Sequence, residues 1–442
     1  MNNKKVTIIG AGLAGSEAAL QLAKRGIQVD LYEMRPNKTT GAHTTDKYAE
    51  FVCSNSLGSY DPTNASGLLK KEMQILGGEL INIAFESSVP AGSALAIDRE
   101  VFSQKITDKI NTNEFINVIR EEITEIPDTE NIIIASGPLT STPLTDSIKN
   151  FTESEHLHFF DAIAPIIEKD SIDFDKAFYA SRYNKGEASY INCPMTKDEY
   201  AKFYDYLINA PKIELKKFEQ DAKFFESCLP VEVIASRGVD TLRYGPMKPV
   251  GLIDIRNENE NYAVVQLRQD NSAKTLYNIV GFQTNLKWSA QKELIKLIPG
   301  LENANIMRYG VMHRNTFINS PNILNATLQS RKRTDLFFAG QITGTEGYTE
   351  SIASGLLAGI NMGRFINEEE PLTLPTETML GALINYITDP EHKKFQPINS
   401  NWAIVKEMDI PRNIRKNKKE KNLILSNRAI ETLGIFKEKS NI

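Results

Sequence analysis

Cysteine is scarce in this sequence: Cys53, Cys193 and Cys228 are the three present among 442 residues. An odd number at wide spacing, with no C-x-x-C pair, excludes a disulfide framework and a structural zinc site. Five histidines leave little material for an imidazole centre, so no metal is expected. Long apolar runs are missing too. None approaches the roughly 20 residues that span a bilayer. The apolar stretch near the N-terminus, Val6 to Ile9, is too short for the core of a signal peptide. The expectation is a cytoplasmic protein without membrane contact. Nor is there an excess of positive charge. The net charge is −5, so a nucleic acid would have to be met by a local basic patch. One such patch is Arg412 to Lys421, RNIRKNKKEK, with six basic residues against one acid. Lys416, Lys418 and Lys419 are its candidate RNA contacts.

What remains is ordinary globular composition, 41% hydrophobic and 24% charged, at a length that implies two or three domains. The informative stretch comes first: KKVTIIGAGLAGSEAALQLAKRGIQVDLYEMRP. Val6 to Ile9 reads as a buried parallel strand. Gly10, Gly12 and Gly15 follow as G-x-G-x-x-G, then a helix over Ser16 to Lys24 and a second strand over Ile27 to Tyr32 ending at Glu33. Gly10 permits the tight turn, Gly12 a close approach of backbone to a pyrophosphate, and Gly15 close packing of helix on strand. The helix N-terminus offers free N–H groups to phosphates. Glu33, 18 residues past Gly15, stands where an acid accepts from the ribose hydroxyls. That acid fits FAD or NAD and disfavours NADP.

Two later segments favour FAD. Asn131 to Ser141, NIIIASGPLTS, is a buried strand running into a glycine turn. Asp335 to Gly363 is another strand, glycine turn and small-residue helix. Flavoproteins of the glutathione-reductase type close over the flavin with such a returning segment. The candidate cofactor residues are Gly10, Ala11, Gly12, Leu13, Ala14, Gly15, Glu33 and Arg35, with Gly340, Gln341 and Gly344 from the return.

The stretches GAGLAGSEAA, LYEMRP, EFVCSNSLGS, FESCLPVEVIASRG, TLRYGPMKPVGL, MHRNT and FFAGQITGTEGYTES run in an order that resembles the bacterial folate- and FAD-dependent tRNA (uracil-5-)-methyltransferases. The likeness extends from residue 6 to about 365 and loosens after Asn367. It implies an enzyme that methylates C5 of a T-loop uridine in tRNA. The methylene would come from 5,10-methylenetetrahydrofolate, with electrons from FAD reduced by NADH or NADPH. Sister flavoproteins acting on the wobble uridine share the glycine front end but are not expected to share FESCLP and MHRNT.

Such chemistry requires a thiolate at uracil C6, because C5 is a poor nucleophile until the ring becomes an enolate. It also requires a base for the C5 proton and a hydride donor. The resemblance, rather than any visible activation, makes Cys228 the first choice of nucleophile, since Glu226 and Glu232 beside it disfavour a thiolate unless they point away. Cys53 is the second choice, as the base or in transfer of the methylene by way of the flavin. The two roles are exchangeable at this level. Cys193, after an apolar run, reads as core. Tyr348 is a candidate for stacking on the folate pterin, and His313 and Arg314 for contacts to the pterin or its glutamate tail.

The expected fold class is α/β: a glutathione-reductase-type FAD-binding, Rossmann-like domain, an inserted α+β domain and a helical C-terminal section. The expected divisions are 1–150 and 311–370 for the flavin domain, 151–310 for the insert and 371–442 for the tail. Two other functions fit parts of the sequence. One is related chemistry on another RNA, a ribosomal or wobble uridine. The other is an FAD oxidoreductase of a small metabolite, which leaves Cys228 unexplained.

Overall fold

The structure, a computed structural model, describes residues 5–442 apart from 155–156, 163, 185–186, 214–228, 255–260, 311, 393–394, 412–413 and 415. At 157–162, 184 and 312–314 the backbone alone is described.

Lys5–Ile9 forms the central strand of a five-stranded parallel sheet. Its spatial order is Leu336–Phe338, Ile132–Ile134, Lys5–Ile9, Gln28–Tyr32, Ile116–Ile119. Ile132, Ile133, Ile134, Leu336, Phe337 and Phe338 are completely buried, as strands covered on both faces must be. The chain leaves the central strand toward Gln28–Tyr32 and returns on its other side with Ile132–Ile134. The strand order therefore reverses at the carboxyl end of Lys5–Ile9, where an open α/β sheet holds its ligand.

The first helix runs Leu13–Ala23, three residues earlier than the glycine spacing suggests. Gly12 occupies the N-cap and Gly15 lies inside the first turn. A Cβ on Gly15 would stand 1.8 Å from the Gly10 carbonyl oxygen, so the helix begins this close to the strand because Gly15 has no side chain. The helix Tyr348–Ile366 crosses it at backbone contact. A Cβ on Gly355 would stand 2.3 Å from the Ala14 carbonyl oxygen, and one on Gly359 2.9 Å from Ala18.

A second core lies between residues 164 and 301. Its six-stranded antiparallel sheet has the order Phe178–Ala180, Tyr190–Met195, Ala263–Gln269, Leu276–Ile279, Ile166–Glu168, Ile306–Arg308. Cys193 is buried in this core, and burial pushes its thiol far up. The strand pair Leu157–Ala162 and Met312–Phe317 carries the chain into and out of this region. A small antiparallel sheet of Ser56–Ser59, Ala94–Ile97 and Ser88–Val89 abuts it, where the Asn55 amide donates to the Gln269 carbonyl at 2.9 Å.

Two later helices, Met379–Thr388 and Lys418–Ser440, pack back on the first core. Buried carboxylates tie helix ends to it. Glu72 accepts from the N–H groups of Met379 and Leu380 at 2.7 and 2.8 Å. Glu17 does the same for Glu79 and Leu80 at 3.0 and 2.7 Å. Each supplies acceptors that a helix N-terminus lacks within itself. Among the described residues no helix is long and apolar enough to cross a membrane.

Candidate active site at the sheet switch point

A cleft of about 1040 Å³ opens at the carboxyl ends of the parallel strands, lined by Gly10, Gly12, Leu13, Ala14, Glu33, Arg35, Gly340, Gln341 and Tyr348, among others. Gly10 has φ +100°, and a Cβ there would meet the Ala135 carbonyl oxygen at 2.6 Å. At Gly12 nothing lies within 4 Å of the Cβ position, which leaves the backbone bare toward the cleft. Ala11 turns its N–H to Glu33 at 3.1 Å. Glu33 also accepts from the Arg35 Nε at 2.9 Å, and Arg35 pairs in turn with Glu50 at 3.0 Å. Burial alone would raise the Glu33 carboxyl, but the Arg35 guanidinium holds it below the usual range. The acid therefore stays ionised, an acceptor for hydroxyl donors. A bare glycine turn, a helix N-terminus and a buried ionised acid together fit an adenine dinucleotide such as FAD.

The return segment supplies the far wall. Gly340 donates to the Ser354 hydroxyl at 2.8 Å, and the Gln341 amide to Glu346 at 2.8 Å. Gly344 stands behind the cleft: its φ is +84°, and a Cβ there would strike the Phe395 ring at 2.4 Å.

Cys53 lies beside this cleft. The Tyr348 hydroxyl donates to its Sγ at 2.9 Å and accepts from the N–H groups of Val52 and Cys53 at 3.0 and 2.7 Å. Burial first, and the neighbouring Cys53 second, push the Tyr348 phenol well above its usual range, so it remains a donor. Its ring packs on Phe51 with centroids 4.2 Å apart. Cys53 also lines a smaller cleft against the antiparallel sheet, with Ser54, Ala164, Arg268, Asn278, Val280, Gly281 and Gln283. The thiol thus stands where the two clefts meet.

Two arginines that the sequence reading passed over hold this loop. Arg99 donates to the Cys53 carbonyl at 2.9 Å and to Asp270 at 2.8 Å. Arg268 donates to Asn55 at 3.0 Å and to the Ser54 hydroxyl at 2.7 Å. A visible signal for Arg268 was a charged residue inside the strand AVVQLRQ.

Cys228 lies outside the described residues. The chain resumes at Leu229, and the Val231 N–H donates to the carbonyl of Gln283 at 2.7 Å. Glu232 is engaged elsewhere, accepting from Thr284 and Asn285 at 2.9 and 2.7 Å. His313 and Arg314 lie on the strand Met312–Phe317, with side chains outside the description. Thr316 on that strand donates to the carbonyl of Pro138 at 2.9 Å, and Pro138 belongs to the cleft wall. Lys416, Lys418 and Lys419 are exposed around the start of the last helix. Among the described residues no group of three acidic, histidine or cysteine side chains is placed to hold a metal.

Residues 5–370 match the family model described as Glucose inhibited division protein A. The chain belongs to that family. Within the glucose inhibited division protein A family its relatives include proteins named "Methylenetetrahydrofolate--tRNA-(uracil-5-)-methyltransferase TrmFO". The one from Bacillus licheniformis is 57% identical over 431 residues, covering 98% of both chains. That from Bacillus velezensis is 56% identical over 433 residues, again 98% of both. That from Brevibacillus brevis is 56% identical over 436 residues, 99% of both. Among solved structures, Aquifex aeolicus GidA superposes with a TM-score of 0.71 at 18% identity, covering 98% of this chain and 73% of that one. That likeness places the fold.

Proposed function

We propose that this chain methylates C5 of a uridine in the T-loop of tRNA. The methylene comes from 5,10-methylenetetrahydrofolate and the electrons from FAD reduced by NADH or NADPH. The named activity of relatives 57% identical over 98% of the chain supports this reading. The structural observation that carries it is the Cys53 thiol, held by Tyr348 at the meeting of the dinucleotide cleft and the cleft of the antiparallel sheet.

In the proposed sequence the Cys228 thiolate bonds to uracil C6, and the displaced pair makes C5 nucleophilic. C5 then bonds to the methylene carbon, whose two bonds to the folate nitrogens break in turn, each nitrogen keeping the electron pair. Cys53 Sγ takes the C5 proton, and the Cys228 thiolate leaves as the C5 double bond forms. Tyr348 positions that sulfur, while Arg99 and Arg268 fix the backbone and side chains around it. FAD, when bound and reduced, supplies the hydride that completes the methyl group. The ring of Tyr348, with His313 and Arg314, is proposed to meet the folate. Lys416, Lys418 and Lys419 are proposed to meet tRNA phosphates. Lys418 and Lys419 occupy the first helical turn, where the dipole disfavours cations, so helix stability does not account for them.

The test is incubation with labelled methylenetetrahydrofolate, NADH or NADPH and a tRNA transcript, with mass spectrometry of the RNA. Label at C5 of a T-loop uridine is expected. Cys228→Ala should abolish it while the flavin is retained, and Cys53→Ala should reduce it severely. Unlabelled tRNA with the wild-type protein would overturn the reading, and near-normal turnover by either variant would remove that cysteine from it.

A further inference from the structure

A rigid, cationic loop carries aromatic and aliphatic side chains into solvent beside the Cys53 cleft. Between the helix Val231–Ser236 and Asp254, the chain exposes Val239, Val250, Ile253 and above all Tyr244, which is 81% accessible. Tyr183, 56% accessible, stands against Gly251, where a Cβ would lie 2.7 Å from its ring. The loop is fixed rather than loose. Arg182 donates to the carbonyls of Val250 and Lys248. The Val264 N–H donates to the Met247 carbonyl at 3.0 Å. Arg243 lies over the Tyr262 ring at 3.6 Å and donates to the Tyr262 carbonyl at 2.9 Å. The cations here are Arg182, Arg237, Arg243 and Lys248. The facing acids are Asp240, paired with Arg243 at 2.7 Å, and the buried Asp254.

The patch adjoins the cleft that Cys53 lines. Pro246 covers Gly281, where a Cβ would lie 2.5 Å from it, and Gly281 lines the cleft of Cys53. Arg182 also donates to Gln266 at 2.9 Å, and the Gln266 carbonyl accepts from Val280 in the same wall at 2.9 Å.

Apolar surface held open by a braced loop calls for a partner. Aromatic faces interleaved with guanidinium and ammonium groups suit unstacked bases and their phosphates. A base bound for the Cys53 cleft must first leave its stack. We propose that the loop 237–254, with Tyr183, is the platform that receives the single-stranded loop of the substrate RNA, Tyr244 stacking on a nucleotide beside the target and Lys248 meeting a phosphate. The proposal rests on the reading above and adds a docking face that the C-terminal lysines do not provide.

The test is equilibrium binding of a labelled tRNA transcript to the full-length protein across a salt series, with the flavin spectrum as the check on folding. Tyr244→Ala should weaken binding about tenfold or more, and Tyr244→Phe should restore it. Lys248→Ala should lower the salt dependence by about 0.7 to 0.9 in log–log slope, one phosphate contact. If the wild type labels tRNA but Tyr244→Ala and Lys248→Ala bind it with wild-type affinity and slope, the platform is refuted and the methyltransferase reading stands. If Tyr244→Ala changes self-association alone, the face is a contact between copies and the proposal fails. A wild type that neither labels nor binds tRNA overturns the functional reading first.

Discussion

Replacing Tyr348 by Phe removes one oxygen and leaves the ring. That oxygen makes three bonds, donating to Cys53 Sγ at 2.9 Å and accepting from the amides of Val52 and Cys53 at 3.0 and 2.7 Å. The packing on Phe51 is unchanged by the substitution. The loss therefore falls on two backbone N–H groups deprived of their acceptor. Each costs about 1–3 kcal/mol when left unpaired, so the local cost is about 2–6 kcal/mol. That corresponds to roughly 30-fold to somewhat above 10,000-fold faster opening of the loop. Hydrogen exchange of a peptide spanning residues 51–56 reads this directly, and the rate of Cys53 alkylation reads it at the sulfur. Because the phenol's folded value is raised above the usual 10, its contribution is present below pH 10 and is lost only above it. The difference between variant and wild type should therefore persist from pH 6 to 9. Unchanged exchange and unchanged alkylation would show that the hydroxyl does not hold the thiol, leaving Tyr348 a stacking residue alone.

Gly15→Ala should abolish cofactor retention, because the new Cβ meets backbone at 1.8 Å and the helix must withdraw from the glycine turn; full flavin content on purification would contradict this. Glu72, fully buried, is raised from 4.5 to about 7 by loss of solvent. Its contribution is complete below pH 4.5 and is lost as pH rises through 7, a decline of about 3 kcal/mol. Glu72→Gln should flatten the stability profile between pH 5 and 8, measured by hydrogen exchange in the helix Met379–Thr388; an unaltered slope would place the titration elsewhere.

The front of the chain was readable because strand, glycine turn, helix, second strand and acid follow one another within 33 residues. Gly15 answers to Gly10, five residues before it, and Gly12 to open space, whereas Gly10 answers to Ala135, which local spacing does not reveal. The helix start was misjudged because the glycines at 12 and 15 look like loop until Gly15 is seen against Gly10. The return segment was legible as strand, turn and small-residue helix, yet nothing in it revealed that Tyr348 would reach Cys53 across 295 residues. Arg99 and Arg268 were missed for the same reason: their partners are the Cys53 carbonyl, Ser54, Asn55 and Asp270, which local spacing does not connect to them. Gly344 reads in the sequence as cofactor backbone, and its need for glycine also answers to Phe395, a residue of the tail.

The crossing of Leu13–Ala23 by Tyr348–Ile366 has a consequence in time. As the chain emerges from the ribosome, the glycine turn appears more than three hundred residues before Gly340, Gln341 and Tyr348. Until then the nascent groove lacks the wall that Gly340, Gln341 and Tyr348 supply. The region between 164 and 301 can bury its own side chains during that interval, but the flavin compartment cannot close before Gly355 and Gly359 seat on Ala14 and Ala18. Cofactor capture is accordingly a late event in the birth of this protein, and a chain cut short before the return helix would keep its inserted sheet while losing its colour.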